Sequence, residues 1–367
     1  MLWIHAKGVN PMSLPTLGWN PRVEDAFVPY RDRGLAPARV AREDRGRYLL
    51  LHERGECLGE LAGRLRHEAR RAADLPAVGD WVAARIGGSS RAVIAAVLPR
   101  SSLFVRKVAG EVTGEQLVAA NIDTVFLVSG LDGDFNLRRI ERYLAAAWES
   151  GAQPVVVLNK ADVAHDLPAC LAAAEGIAMG VPVRCVSALD RQSLEALAPW
   201  LAPGRTVALL GSSGVGKSTL INTLLGQERL PTTAVRPGDS RGRHTTVRRE
   251  LVTMPGGAVL LDTPGLRELQ LWGDESRLEG TFPEIAQLAA GCRFRDCGHA
   301  TEPGCAVRAA VTCGALDPER LESWRKLQRE LRRLATRQDA RARAAEEAKW
   351  KSIHRAMKHH PKADRWR

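Results

Sequence analysis

A glycine-rich segment in the second half of the sequence limits the possible folds more than any other stretch. Residues 211–219 read Gly-Ser-Ser-Gly-Val-Gly-Lys-Ser-Thr and match the pattern G-x-x-x-x-G-K-[ST]. An apolar stretch precedes the loop and a helical stretch follows it, so we expect a strand, the loop and a helix in that order. Backbone N–H groups and the helix dipole would hold the phosphates. The predicted nucleotide-binding residues of this loop are Gly211, Ser212, Ser213, Gly214, Val215, Gly216, Lys217, Ser218 and Thr219.

A second motif indicates which base is bound. Residues 159–162, Asn-Lys-Ala-Asp, follow the apolar stretch 155–158. The Asp162 carboxylate can accept hydrogen bonds from guanine N1–H and the exocyclic amine, and adenine offers neither donor. A second base-side loop is predicted at residues 187–189, after a strand at 183–186. The ligands are therefore expected to be GTP and GDP, and the predicted base-side residues are Asn159, Lys160, Ala161, Asp162, Ser187 and Ala188.

The γ-phosphate side of the site is predicted from residues 262–265, Asp-Thr-Pro-Gly. Asp262 suits a water-mediated contact with Mg²⁺, and the Gly265 N–H suits the γ-phosphate. The Ser218 hydroxyl and a threonine from the segment before this strand would ligate Mg²⁺. We prefer Thr246 for that role, and Thr245 stays the alternative.

The residue that orients the attacking water is not identified by these motifs alone. Many GTPases carry Gln directly after the Asp-x-x-Gly motif. This chain has Leu266, which cannot hydrogen-bond to water, so intrinsic hydrolysis should be slow. His244, in the predicted γ-phosphate-sensing loop, is the candidate catalytic residue. The alternative is that His244 contacts RNA or its own loop only.

The order of the motifs is unusual. Ordinary GTPases place the phosphate loop first, whereas here both guanine motifs precede it. Apolar strands alternate with helices over this region, which indicates a parallel sheet covered on both faces. Because the termini of a domain often lie close together, one fold can hold the motifs in permuted order. We predict a circularly permuted α/β phosphate-loop GTPase domain over residues 113–278.

The preceding region has a different pattern. Short apolar stretches at residues 48–51, 78–82 and 92–98 alternate with glycine-rich turns, which predicts a small β-barrel over residues 36–112. An oligonucleotide-binding (OB) fold is the leading choice, and another small barrel is the alternative. Residues 1–35 contain four prolines and no clear periodicity, so a loose N-terminal tail is predicted.

Four of the seven cysteines crowd into residues 292–313. An odd count and this clustering favour a metal site over a disulfide framework. Three thiolates, from Cys292, Cys297 and Cys305, would bind one Zn²⁺ together with His299 or Cys313. Such a closed site is structural, because no position is left for water. A zinc-binding, mainly helical domain is predicted over residues 279–367.

The charge is concentrated at the C-terminal end. The whole chain has a net charge of +11, and residues 320–367 hold 16 Lys or Arg against 6 Asp or Glu. Apolar residues at positions 321, 324, 327, 331 and 334 give a predicted helix one apolar face. The basic remainder suggests a polyanionic partner such as RNA, and the alternative is a solvated charged helix. With no membrane-spanning stretch and no secretory signal, a cytoplasmic monomer without membrane contact is expected.

The permuted order, the segment Gly-Arg-His-Thr-Thr at residues 242–246 and the cysteine cluster resemble the ribosome small-subunit-dependent GTPases. The resemblance covers about residues 36–317. It implies a barrel, a permuted GTPase and a zinc-containing helical domain in that order. It also implies His299 as the fourth zinc ligand, supports His244, and implies a role in late maturation of the small (30S) ribosomal subunit, whose rRNA would be bound and which would stimulate hydrolysis.

Two other functions fit parts of the pattern. A zinc-containing RNA-binding protein could use GTP only as a structural ligand, and turnover measured with and without small subunits separates it from a GTPase. A phosphate-loop kinase or ATPase is a third interpretation, and it is disfavoured because Asp162 indicates guanine rather than adenine.

Overall fold

The computed structural model describes residues 13–87, 91–107, 115–229, 249–262 and 275–338. The chain forms two compact units. The first contains Met1–Val108 and Glu115–Gln270, and the second contains Ala109–Gly114 and Leu271–Arg367. Within the described ranges, no helix has both the length and the apolar character needed to cross a membrane. The predicted domain boundaries at residues 112 and 278 stay predictions.

The first described segment is helical rather than loose. A 3-10 helix spans Leu14–Leu17 and α1 spans Pro21–Arg31. The side chain of Asn20 caps α1 by accepting a hydrogen bond from Val23 N at 3.2 Å, and Pro21 suits the first helical position. Leu17 and Phe27 are buried in the core of the first unit. The predicted loose tail is therefore wrong from residue 13 onward, and residues 1–12 lie outside the described part.

A closed five-stranded barrel follows. Its strands pair in the order β1-β2-β3-β5-β4, and β4 pairs again with β1. β3 and β5 are parallel, and the other pairs are antiparallel. Apolar side chains from alternate positions, such as Val40, Leu50 and Ile94, fill its interior. The barrel is OB-like, as predicted. Its elements are β1 Ala36–Asp44, β2 Arg47–His52, β3 Gly55–Leu61, α2 Gly63–Glu68, β4 Trp81–Gly87 and β5 Arg91–Val97.

A two-stranded ribbon of β6 (Leu103–Lys107) and β7 (Glu115–Ala120) leads from the barrel to an α/β sheet. The sheet order is β10-β9-β8-β11-β13-β12, in which β12 is antiparallel to β13 and the other pairs are parallel. The predicted alternation of strands and helices is confirmed. The elements are β8 Thr124–Gly130, α3 Leu137–Ser150, β9 Gln153–Asn159, α4 Leu167–Ile177, β10 Val183–Cys185, β11 Thr206–Leu210, α5 Lys217–Leu225, β12 Glu250–Thr253 and β13 Val259–Asp262.

The permutation is visible in the strand order. β11, which comes fourth along the chain among these six strands, lies between β8 and β13 in the centre of the sheet. The barrel continues the same sheet, because Arg42 of β1 pairs with Glu250 of β12. Their side chains also form an ion pair at 3.7 Å. The barrel and the α/β sheet are thus one hydrogen-bonded structure.

A buried arginine, Arg39, connects the barrel to the α/β sheet. Arg39 of β1 is 1% exposed, and it donates to the Asn121 carbonyl at 3.1 Å and to Thr206 Oγ1 at 2.8 Å. It donates also to the carbonyls of Gly79 and Leu17. Burial lowers the pKa of Arg39 to about 10, so the side chain stays charged at neutral pH. A buried cation is tolerated here because several acceptors surround it.

The second unit is mainly helical. Its described elements are a 3-10 helix at Glu275–Gly280, α6 Pro283–Ala289, α7 Ala306–Thr312 and α8 Pro318–Gln338. Leu321, Leu327 and Leu331 of α8 are buried, which confirms the predicted apolar face over the described side chains. Arg320 anchors the start of α8 through an ion pair with Glu284 at 2.7 Å. Position 334 lies beyond the described side chains.

Candidate nucleotide and zinc sites

The phosphate loop connects β11 to α5 at the carboxyl edge of the parallel sheet, where α/β folds bind ligands. Gly214 and Gly216 have φ values of +84° and +89°, which favour glycine. A Cβ atom at Gly216 would lie 2.4 Å from Asn159 Nδ2. The predicted glycines are therefore required by backbone conformation and by the close approach of the guanine motif.

Lys217 lies inside this loop rather than in solvent. It is 8% exposed, and its Nζ donates to the Gly211 carbonyl at 2.7 Å and to the Ser212 carbonyl. α5 begins at Lys217, so the N–H groups of its first turn lie at the same place. The cation and the helix N-terminus together form a preorganised anion site.

Asn159 joins all three predicted nucleotide segments. It is 1% exposed, donates from Nδ2 to the Val215 carbonyl at 2.8 Å and accepts from Ala188 N at 2.9 Å. Thr223 Oγ1 of α5 donates to the Ala188 carbonyl at 2.7 Å. The structure thus brings the guanine motif, the second base-side loop and the phosphate loop together. It also gives Asn159 a role between the loops that the sequence did not predict.

The rest of the first base-side motif differs in exposure and in its contacts. Lys160 has a φ of +65°, and its ammonium bonds to the Asp132 carboxylate. Burial opposes ionisation of Asp132, but the hydrogen bond and charge of Lys160 outweigh it, so the pKa of Asp132 is lowered. Asp162 is exposed in the turn Ala161–Val163. An accessible carboxylate beside an ordered lysine stem is the arrangement that guanine recognition needs.

Sequence reasoning missed the acidic loop after β8. In addition to Asp132, Asp134 accepts a hydrogen bond from Ser212 Oγ and pairs with Arg139 at 2.6 Å. Arg139 Nη1 also donates to Ser212 Oγ at 2.9 Å. The available signal was Asp-Gly-Asp one residue after a buried strand, because such a position falls at the same sheet edge as the phosphate loop.

The γ-phosphate side is described only in part. Asp262 ends β13, the strand next to β11, so its backbone reaches the edge that carries the phosphate loop. Its side chain lies outside the described part of the structure. His244, Thr246, Gly265 and the alternative threonine at position 245 also lie outside it.

The four predicted zinc ligands come together in the second unit. The ligand atoms of Cys292, Cys297, His299 and Cys305 all lie within 4.8 Å of one another. His299 Nδ1 is 3.6 Å from Cys292 Sγ and 3.4 Å from Cys305 Sγ, and these two sulfurs are 3.9 Å apart. Zinc bonds of about 2.0 to 2.3 Å give tetrahedral edges of roughly 3.5 to 3.8 Å. The donor set therefore fits Zn²⁺.

The surroundings of this cluster favour the His299 assignment. Cys313 lies at the opposite end of α7 from Cys305, and its Sγ donates to the Ala310 carbonyl at 3.4 Å. Burial lowers the pKa of His299, which keeps its imidazole neutral as a ligand must be. Trp324 packs against the His299 ring with centroids 5.3 Å apart. Glu302 accepts three backbone N–H groups of the same loop and fixes its path.

Comparison with known proteins agrees with this arrangement. The family model described as RsgA GTPase matches residues 97–272. The chain is 53% identical over 357 residues to the "Small ribosomal subunit biogenesis GTPase RsgA" of Opitutus terrae, covering 95% of this chain and 97% of that one. It is 44% identical to the protein of the same name from Syntrophotalea carbinolica, covering 97% and 98%.

Two solved structures resemble this one. YjeQ from Thermotoga maritima is 27% identical, with a TM-score of 0.62 over 81% of this chain and 98% of that one. YloQ, described as a circularly permuted GTPase, is 22% identical, with a TM-score of 0.61 over 81% and 95%. The likeness to YloQ supports the permuted fold.

Proposed function

The chain belongs to the RsgA GTPase family, and from that premise we propose that it hydrolyses GTP during maturation of the small ribosomal subunit. The observation that carries the proposal is the meeting of three segments at one sheet edge. Asn159 bonds both to the phosphate loop at Val215 and to the second base-side loop at Ala188. A site so assembled binds a guanine base and its phosphates at once.

The residues divide the work of binding. Asp162 accepts from the guanine N1–H and amine, and Lys160, held by Asp132, lies against the base. Loop N–H groups and Lys217 hold the β and γ phosphates. Ser218, Thr246 and Asp262 are the residues proposed to hold Mg²⁺, which would neutralise charge on the phosphate oxygens.

Hydrolysis is an in-line attack by water on the γ-phosphorus. The bond from this phosphorus to the bridging oxygen breaks, the water proton passes to phosphate, and GDP and inorganic phosphate leave. With Leu266 after the Asp-x-x-Gly motif, this chain needs another group to orient the water. We propose His244 for that role, with the bound small subunit stimulating the reaction.

The His244 role has a direct test. His244→Ala should keep GTP affinity and lose most of the turnover that small subunits stimulate. His165→Ala, which changes an exposed histidine of the same domain, is the matched control and should behave as the wild type. Stimulated turnover that is unchanged in His244→Ala would remove the catalytic assignment.

The second unit is proposed to hold one structural Zn²⁺ through Cys292, Cys297, His299 and Cys305 and to bind the rRNA of the subunit. Its helix α8 is amphipathic, with buried leucines and with exposed basic side chains such as Lys326, Arg329 and Arg332. Binding through such a face releases counterions. Subunit affinity should therefore fall steeply as salt rises, and an affinity independent of salt would contradict this role.

The whole proposal is tested by GTP turnover with small subunits, large subunits and whole ribosomes. Small subunits should stimulate turnover most, and Lys217→Ala should abolish it in every sample. If no ribosomal particle stimulates turnover while GTP still binds, the protein uses GTP as a structural ligand. Competition by ATP as strong as by GTP would instead contradict the guanine assignment of Asp162.

A further inference from the structure

The zinc loop presents an aromatic side chain to solvent between two arginines. Residues 293–295, Arg-Phe-Arg, lie between the ligands Cys292 and Cys297. Phe294 is 41% exposed, and the guanidinium carbon of Arg293 lies 5.5 Å from the centre of its ring. Among the described side chains of the second unit, Phe294 is the one large apolar residue that is exposed. Its ring does not serve the core.

The backbone beneath this ring is well held. Arg293 N donates to the Gly304 carbonyl at 3.1 Å, and Cys292 N donates to the Ala289 carbonyl at 3.1 Å. Gly304 has a φ of +74°, and a Cβ atom there would lie 3.1 Å from the Arg293 Cβ. Residues 293–296 lie between Cys292 and Cys297, which both belong to the metal cluster. The ring is therefore displayed on a short, closed loop, which reduces the entropy lost when a flat ligand stacks on it.

The neighbours of the ring decide what kind of partner fits. Arg293 and Arg295 are exposed on either side of Phe294, and the exposed carboxylate of Asp296 follows them. An apolar protein interface would need further exposed apolar side chains around Phe294, whereas its sequence neighbours are charged. An aromatic face with adjacent guanidinium groups is the combination that stacks a base and neutralises its flanking phosphates.

We propose that Phe294 is a stacking platform for an unpaired RNA base, with Arg293 and Arg295 contacting the phosphates beside that base. The proposal rests on the proposed function, because the RNA would be that of the small subunit. It goes further by naming the residue and the single-stranded character of the RNA. Duplex RNA hides its base faces, so it would not use this platform.

The first experiment measures binding of full-length, zinc-loaded protein to a short oligoadenylate and to a matched RNA duplex. Phe294→Leu keeps apolar volume and loses the aromatic face, so affinity for the oligoadenylate should fall about tenfold, with little change for the duplex. Phe294→Trp should bind the oligoadenylate at least as well as the wild type. Trp148→Leu, which changes a partly exposed aromatic residue of α3 in the first unit, is the matched control and should bind both RNAs normally.

The second experiment separates stacking from charge. Stacking does not release counterions, so the Phe294→Leu loss should be the same factor at every salt concentration. Arg295→Gln should instead reduce the slope of log affinity against log salt by about 0.7, the contribution of one phosphate contact on a single strand. Zinc content equal to the wild type in each variant shows that the cluster is intact.

Three results would overturn the proposal. One is wild-type oligoadenylate affinity in Phe294→Leu, and another is an equal loss for oligoadenylate and duplex. The third is crosslinking to protein rather than to RNA, in small-subunit complexes, when a photoreactive benzoyl side chain replaces Phe294. Stimulation of the wild-type GTPase by small subunits is measured separately. If it persists while the Phe294 tests fail, the proposed function stands and the platform does not.

Discussion

Replacing Asn159 by alanine should weaken both the fold of the nucleotide site and its affinity for GDP. The side chain is 1% exposed and satisfies two buried groups, the Val215 carbonyl and the Ala188 N–H. A buried polar group left without a partner costs about 1 to 3 kcal/mol. Two such groups, each partly relieved by relaxation of the loops that carry them, give an expected total loss of about 2 to 3 kcal/mol.

The same loss of free energy determines how much the affinity for GDP should fall. In the variant, the two loops relax away from each other, and GDP must bring them back before it binds. Restoring an arrangement that costs about 2 to 3 kcal/mol raises the dissociation constant by roughly 30- to 150-fold. Asn159→Asp should do similar damage, because a carboxylate still accepts from Ala188 N but repels the Val215 carbonyl.

Two measurements check this reasoning. Urea unfolding followed by circular dichroism gives the change in stability, and titration with a fluorescent GDP analogue gives the change in affinity. Asn20→Ala is the control, because Asn20 caps α1 away from the nucleotide site. It should cost about 1 kcal/mol of stability and leave GDP binding unchanged. GDP affinity within about threefold of the wild type in Asn159→Ala, roughly 0.6 kcal/mol, would refute the linking role of this side chain.

Three further predictions concern the metal, the base and acid stability. Cys305→Ser should lose the bound zinc while Cys313→Ser keeps one ion per chain, as measured by elemental analysis, because only the former sulfur lies in the cluster among the described residues. Asp162→Asn should lower GTP affinity by about 100-fold or more and allow XTP to bind, because an amide can donate to the xanthine oxygen. Asp132→Asn should lower the free energy of unfolding at neutral pH. The difference should fade below about pH 4, since a carboxylate with a lowered pKa stabilises the fold above its unfolded pKa and loses that effect as it is protonated. A difference that persists in acid would show that the ion pair with Lys160 is not its source.

The sequence predicts the elements that obey local rules. Apolar stretches such as residues 155–158 became buried strands, and the phosphate loop lies between a strand and a helix as its pattern requires. The zinc ligands were also recognisable, because their spacing within one short segment limits what else four such residues can do. Chemistry confined to a short stretch of chain can be predicted from that stretch.

Features that depend on distant partners could not be predicted in the same way. In the sequence, Arg39 looks like an ordinary basic residue of a barrel strand. In the structure it is buried, and it donates hydrogen bonds to Asn121 and Thr206, which lie 82 and 167 positions away along the chain. The tail looked loose because it contains four prolines, but Pro21 begins α1 and Asn20 caps it. The link made by Asn159 was missed for the same reason, since Val215 is 56 positions away.

The central place of β11 also determines the order in which the site can be built during synthesis. The ribosome delivers β8, β9 and β10 first, so the base-recognition half can pair while the free edge of β8 still waits for its neighbour. An unpaired central strand edge is open to wrong partners until residues 206–210 arrive to cover it. The nascent chain therefore cannot bind the nucleotide tightly before β11 takes its place beside β8. The nascent chain has the residues that discriminate guanine well before it has the loop that holds the phosphates.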